Sequence, residues 1–217
     1  MNIPYLRSSV SNAIDVPSIF NRLEIPFQTI EQVNWPDTFP YCPEAKFRIA
    51  CNAHSILLNY RVVEDCVRGK YGEDNGQVWT DSCMEFFIQP VNDGIYYNLE
   101  CNCIGTVLLG AGKGREGREL AGPDTLGTIQ RWASLGRRPF DEKLGRQTWE
   151  VAVILPLSAF FKHHIVSIEG CSVKGNFYKC GDELQTPHFL SYFPIKLEKP
   201  NFHCPEFFGN LDFNAAK

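Results

Sequence analysis

Trp79, Asp81, Cys83 and Glu85 occupy alternate positions of one β-prone run, Trp79-Thr-Asp-Ser-Cys-Met-Glu-Phe-Phe-Ile88. Alternate side chains of an extended strand share a face, so these four project together with Phe87, while Met84, Phe86 and Ile88 turn towards a core. The next run repeats the pattern: Tyr96, Asn98, Glu100 and Asn102 share one face, opposite Tyr97, Leu99, Cys101 and Cys103. Asp93-Gly94 between the runs is a turn signal. With an even-length loop, odd positions of the first strand align with even positions of the second. Asp81, Glu85, Asn98, Glu100 and Asn102 then stand on the same side of one hairpin. An ordinary solvated sheet face alternates in the same way. This one differs in composition, because carboxylates and carboxamides sit beside a Trp and a Tyr with no Lys or Arg among them. Planar groups that exchange hydrogen bonds with hydroxyls, next to rings that pack on apolar C–H faces, are what a sugar requires.

Other chemistry-bearing residues form weaker patterns. Gly112-Lys-Gly-Arg-Glu-Gly117 matches a dinucleotide-binding fingerprint and follows a plausible strand. The fingerprint needs a helix opening at its last glycine to receive the pyrophosphate, and Gly122-Pro123 interrupts any such helix. A flexible hairpin loop is the better reading. Cys180, His188, His203 and Cys204 suit zinc chemically but lack the close paired spacing of structural zinc sites. His163 and His164 are adjacent and would point apart on a helix, and a Cys180–His188 nucleophilic pair has no local signature. No metal ligand set and no cofactor is expected.

The elements that must position the hairpin are strands. The chain of 217 residues carries 16 Phe, 8 Tyr, 4 Trp, 17 Gly and 14 Pro. Aromatic-rich runs separated by Gly and Pro read as many short strands and turns. Phe47, Ile49 and Cys51 alternate, and β-rich runs recur at 56–63, 84–88, 95–103, 105–109, 126–132, 149–155, 166–173 and 189–195. One short helix is expected over 157–163. The expected fold is an all-β antiparallel sandwich, forming a single domain over residues 1–217 with one or two short helices.

Lys plus Arg number 21 against 25 Asp plus Glu, a net charge of −4. A global nucleic-acid footprint is thus not expected. The segment 113–146 is basic, with 8 cationic and 5 acidic residues, and reads as solvated loop charge. No apolar run reaches bilayer length, so no membrane partner is expected. Residues 1–20 lack the apolar stretch of a signal peptide, and nine cysteines without Cys-x-x-Cys spacing read as reduced thiols. Both point to a cytoplasmic setting.

Three segments together resemble the family 9 carbohydrate-binding modules and their relatives. They are Val78-Trp79-Thr-Asp-Ser-Cys-Met-Glu-Phe-Phe-Ile88, Tyr96-Tyr-Asn-Leu-Glu-Cys-Asn-Cys-Ile-Gly105, and a tail. The tail comprises Gly175-Asn-Phe-Tyr-Lys-Cys-Gly181, Pro187-His-Phe-Leu-Ser-Tyr192 and Phe202-His-Cys-Pro-Glu-Phe-Phe-Gly209. The resemblance covers about residues 33–213 and implies a β-sandwich of the immunoglobulin/DOMON-like type; xylanase-attached members grip a sugar end between two aromatic rings. Trp79 and Glu85 match the Trp and the Glu six residues later that xylanase-attached members carry. Those members use a second Trp as the other jaw; here the nearest positions by motif are Tyr192 and Tyr178. Some relatives hold structural calcium, but no Asp-rich loop of calcium spacing is present.

The functional expectation is non-catalytic binding of a mono- or oligosaccharide. Trp79 would stack, and Asp81, Glu85, Asn98, Glu100 and Asn102 would bond hydroxyls. Asn176 and Lys179 would extend the polar rim, with Tyr192 as a candidate second aromatic. The alternatives are a glycoside hydrolase and a structural sandwich that meets a protein partner. Hydrolysis needs carboxyls ~5–5.5 Å apart for retention or ~6.5–9.5 Å for inversion. Asp81 and Glu85 would lie ~13 Å apart along one strand, which leaves Glu85 and Glu100 as the pair to consider.

Overall fold

The computed structural model describes residues 1–216. The chain runs through β1 (Asn2–Ile3), α1 (Val16–Arg22), β2 (Gln28–Ile30), β3 (Gln32–Val33), β4 (Glu44–Cys51) and β5 (Ser55–Gly69). The hairpin follows as β6 (Cys83–Gln89) and β7 (Tyr96–Asn102), then β8 (Val107–Gly112), β9 (Glu119–Leu120), α2 (Pro123–Thr128) and β10 (Gln130–Ala133). The last strands are β11 (Phe140–Pro156), β12 (Ser172–Cys180), β13 (Phe189–Ser191) and β14 (Gly209–Phe213).

Two sheets stack as a sandwich. One has the order β1-β14-β12-β6-β7-β8-β9, with β13 on the second half of β12 and β3 on β13; the other runs β10-β11-β5-β4-β2. Nearly every pairing is antiparallel, the exception in the ladders being β1 on β14. Between the sheets lies the main core, where Phe86 and Phe177 stack at 4.8 Å and Phe177 and Phe47 at 3.7 Å.

Two further apolar layers cover the outer faces, which accounts for the high aromatic content. The second sheet is capped by α1, whose Val16 and Phe20 pack on Ala50, Leu57, Ala152 and Ile154. The first sheet is capped by the chain after β13 and by the residues around Trp35. There Phe87, Tyr96 and Tyr178 of the strands meet Trp35, Ile195, Phe202 and Phe208. A strand buried on both faces needs apolar residues at consecutive positions, and Phe86-Phe87 and Tyr96-Tyr97 supply them.

Some sequence expectations fail locally. The expected helix over 157–163 is a 3₁₀ turn at Leu157–Ala159. The run 126–132 is the end of α2 followed by β10, and α2 opens at Pro123, not at Gly117. Proline is tolerated there because a first-turn N–H has no intrahelical acceptor to lose. The expected strand over 166–173 begins only at Ser172, and β12, at the centre of the first sheet, extends well beyond it.

Candidate functional site

The β6–β7 ladder sets Glu85 directly opposite Glu100, Cys83 opposite Asn102 and Phe87 opposite Asn98. The even loop and the Gly94 turn, with φ of 86°, deliver the side-sharing that the alternation predicts. Trp79 reaches the same region by another route. It sits in a 3₁₀ turn, Val78–Thr80, and the strand begins only at Cys83.

Around Glu85, Asn98 and Glu100 a cleft of about 290 Å³ opens, at the small end of ligand sites. Trp79, Phe189 and Phe202 give it aromatic walls, and Asp182, Arg115, Arg118 and His203 add polar groups. Phe202 is held by stacking on Tyr178 at 4.2 Å, and Phe189 by edge contact with Phe39 at 4.8 Å.

The polar floor is a directed chain of hydrogen bonds. Arg118 lies over the Tyr96 ring and donates through Nη2 and Nε to Asn98 Oδ1 at 2.6 and 3.0 Å. With its oxygen so occupied, Asn98 donates through Nδ2 to Glu100 Oε1 at 2.8 Å. Glu100 Oε2 is buried and has no partner among the described residues. A buried acceptor left unpaired is costly, and a ligand hydroxyl would remove that cost. Glu85 accepts the Cys180 thiol at 3.0 Å, and that thiol also lies 3.4 Å from the Trp79 carbonyl.

Burial pushes the Glu85 carboxyl well above the usual carboxylate range, with the facing Glu100 adding to it. Burial likewise raises Glu100 to about 7 and Asp182 to about 6. His203 is driven down to about 3 by burial and by Arg118 and Arg115, so its neutral ring meets the Tyr96 hydroxyl at 2.9 Å. Carboxyls that hold their protons to higher pH than usual, beside an amide, can donate as well as accept, which suits hydroxyl groups.

Of the sequence-derived candidates, Trp79, Glu85, Asn98 and Glu100 come together at this cleft. The others stand elsewhere. Asp81 is fully buried in an ion pair with Arg68 at 2.9 Å and accepts from Tyr71 N and Asn102 Nδ2. Asn102 spends its amide on that carboxylate and on the backbone of Tyr71, Ile104 and Thr106. Both brace the turn before β6 because the chain leaves the extended path there. Asn176 pins the segment after β13, accepting from Phe193 N and donating to Phe193 O.

Lys179 faces the opposite way, into the sandwich. Its Nζ lies 2.9 Å from Glu64 and 2.7 Å from His188 Nε2. Period-2 geometry explains this, since Lys179 shares the inward face of β12 with Phe177 while Asn176, Tyr178 and Cys180 face outward. Tyr192 packs edge-on against Phe47 at 5.1 Å in the main core, and Tyr178 is buried beneath Phe202. Neither lines the cleft, whereas Phe189 and Phe202 do. The four residues weighed for zinc do not converge: His188 is bound to Lys179, His203 to Tyr96, and the Cys204 thiol to Asn201 O at 3.1 Å.

Arg115, Arg118, Asp182, Phe189 and Phe202 line the cleft and were not revealed by the alternation. The basic character of 113–146 was the available signal for the arginines, and Arg118 turns out to be half-buried rather than solvated. Asp182 follows Cys180 by two positions, just beyond the end of β12.

The chain is thus a two-sheet antiparallel sandwich whose outer face holds an aromatic-walled cleft over a carboxyl–carboxamide floor. The family description for carbohydrate-binding family 9 matches residues 14–213, and the chain belongs to that family. A candidate carbohydrate-binding protein from Bacteroides uniformis superposes with a TM-score of 0.96 at 48% identity, covering 99% of this chain and 98% of that one. A family 9 module from Caldicellulosiruptor kristjanssonii has been seen in complex with glucose and with cellotriose. Those structures match at a TM-score of 0.60 with 13% and 14% identity, over 100% of this chain and 96% and 95% of theirs. At such identity the likeness carries the fold alone. Among curated proteins, none matches the chain.

Proposed function

We propose that this chain binds a sugar, without cleaving it, in the cleft between Trp79 and the Phe189–Phe202 wall. The observation that carries the reading is Glu100 Oε2, a buried acceptor without a partner at the end of the Arg118–Asn98–Glu100 relay. The rings offer faces for the apolar side of a pyranose, and Glu85, Glu100 and Asp182 offer groups for its hydroxyls. Family membership supports a carbohydrate ligand. The glucose and cellotriose complexes of the Caldicellulosiruptor module make those sugars the first to try. The cleft volume fits one or two sugar rings rather than a long chain.

Calorimetric titration with glucose, cellotriose and a panel of simple sugars tests this, with reducing ends assayed in parallel. The expected result is saturable binding with no release of reducing ends, lost in Trp79→Ala and weakened in Glu100→Gln. No heat with any sugar would overturn the reading. Turnover by the parent and none by Glu85→Gln would instead establish the Glu85–Glu100 pair as hydrolytic, since Asp81 is committed to Arg68.

A further inference from the structure

Beneath the cleft lies a cluster of which the sugar reading uses only Glu85. Cys83 and Cys180 face each other across the β6–β12 ladder, and Glu85 follows Cys83 by two positions on the same face of β6. Two side chains at i and i+2 of one strand and a third on the neighbouring strand converge above the sheet, because alternate side chains stand on one face. Here one ligand atom from each of Cys83, Glu85 and Cys180 lies within 4.8 Å of the other two, and all three residues are buried.

We propose that Cys83, Cys180 and Glu85 form a binding site for a zinc-class divalent metal ion. Two thiolates and a carboxylate are a donor set of the kind zinc takes, and bonds of about 2.0–2.3 Å set tetrahedron edges of roughly 3.5–3.8 Å. The Cys180 sulfur is already 3.0 Å from Glu85 Oε1, so closing the cluster takes small rotations of the thiols and no backbone movement. Glu85 also lines the cleft, which leaves a fourth position opening on it beside Asp182. Three protein ligands with one open position is the arrangement of zinc sites that receive an exchangeable oxygen ligand.

The acceptor that the sugar reading assigns to a hydroxyl stands beside the same cluster. Glu100, opposite Glu85 in the β6–β7 ladder, is only 4% exposed and keeps Oε2 without a partner. A water on the open position of a bound ion would donate to such an acceptor, giving the outer-shell bond that metal sites use to orient their ligands. The site with three anionic ligands and a divalent ion would carry a net −1, and Arg115 and Arg118 line the same cleft to offset it.

Cobalt(II) titration of the reduced, desalted full chain under nitrogen, without sugar, tests the site. Thiolate ligation gives a near-ultraviolet sulfur-to-cobalt charge-transfer band, with visible bands whose strength reports tetrahedral geometry. The expected result is a band that saturates at one equivalent and is bleached by zinc. Cys83→Ser and Cys180→Ser should each weaken cobalt binding beyond the roughly 10–100-fold typical of losing an outer-shell partner. Glu85→Gln should weaken it while keeping the sulfur band. Melting curves of each variant establish that it is folded, and Cys204→Ser, a buried thiol outside the cluster, should leave the band unchanged. No charge-transfer band in the parent, or a full band in both folded cluster variants, would overturn the proposal. The cobalt spectrum needs no carbohydrate, so its failure and that of the sugar reading are separate results.

Discussion

A residue's type tells less about its task than what its neighbours have already claimed. Asp81 and Glu100 are both buried carboxyls beside the hairpin, yet every strong partner of Asp81 is internal, whereas Glu100 keeps one oxygen unclaimed. Asp81→Asn should therefore act on folding. Breaking a buried ion pair costs up to about 3–5 kcal/mol, and Glu183, 3.0 Å from Arg68, retains part of it. Thermal melts should fall while the sugar titration of the folded protein stays at the parental value. Weakened sugar binding at an unchanged melting temperature would return Asp81 to the ligand. Trp79→Ala should show the reverse balance. Its ring is half-buried at the cleft, and removing an aromatic anchor costs ~2 kcal/mol or more of binding. A melting temperature that collapses with no change in the sugar isotherm would make Trp79 a core residue.

At the scale of elements, the hairpin was legible and its cover was not. Period-2 alternation and the Asp93-Gly94 turn sufficed to put Glu85, Asn98 and Glu100 side by side, because a one-residue slip would turn Met84, Phe86 and Ile88 out of the core. The same rule misplaced Trp79 and Asp81 by extending the strand through what is a 3₁₀ turn. Grouping Lys179 with Asn176 does not follow from that rule, which separates them, since they lie three apart on β12 and face opposite ways. The residues that turn a sheet face into a cleft come from the turn before β6, the β8–β9 loop and the chain after β12, where little period exists to read. The neighbouring strand β8 makes its own contribution through Gly110. A Cβ there would stand 2.7 Å from Asn98 Oδ1, the atom that Arg118 grips. Gly110→Ala should thus turn Asn98 away and break the relay. Hydrogen bonds to charged groups are worth about 1.5–3 kcal/mol, so sugar affinity should fall roughly tenfold or more. Calorimetry on the variant checks it, and an unchanged isotherm would mean that the relay does not hold the ligand.

For the whole molecule, the polar tie between the sheets matters as much as the aromatic layers. Lys179 of one sheet and Glu64 of the other are fully buried, and Trp149 donates to the same carboxylate at 2.6 Å. Lys179→Met should cost about 3–5 kcal/mol by stranding a buried carboxylate. For a chain of this size that is about 2–4 °C of melting temperature per kcal/mol. Adding Glu64→Gln should recover most of the loss, and a double variant no better than the single one would show that the pair is not the cause. At the far edge of the first sheet, β1 runs parallel to β14. Met1 donates to Asn210 O, Asp212 N to Met1 O, and Asn214 N to Ile3 O. Tension applied between the two ends of the chain pulls these strands past one another along their length. The hydrogen bonds then bear the load together, in shear, instead of opening one at a time. A ligand held on the opposite part of the same sheet would then lie away from the strands that take such a load.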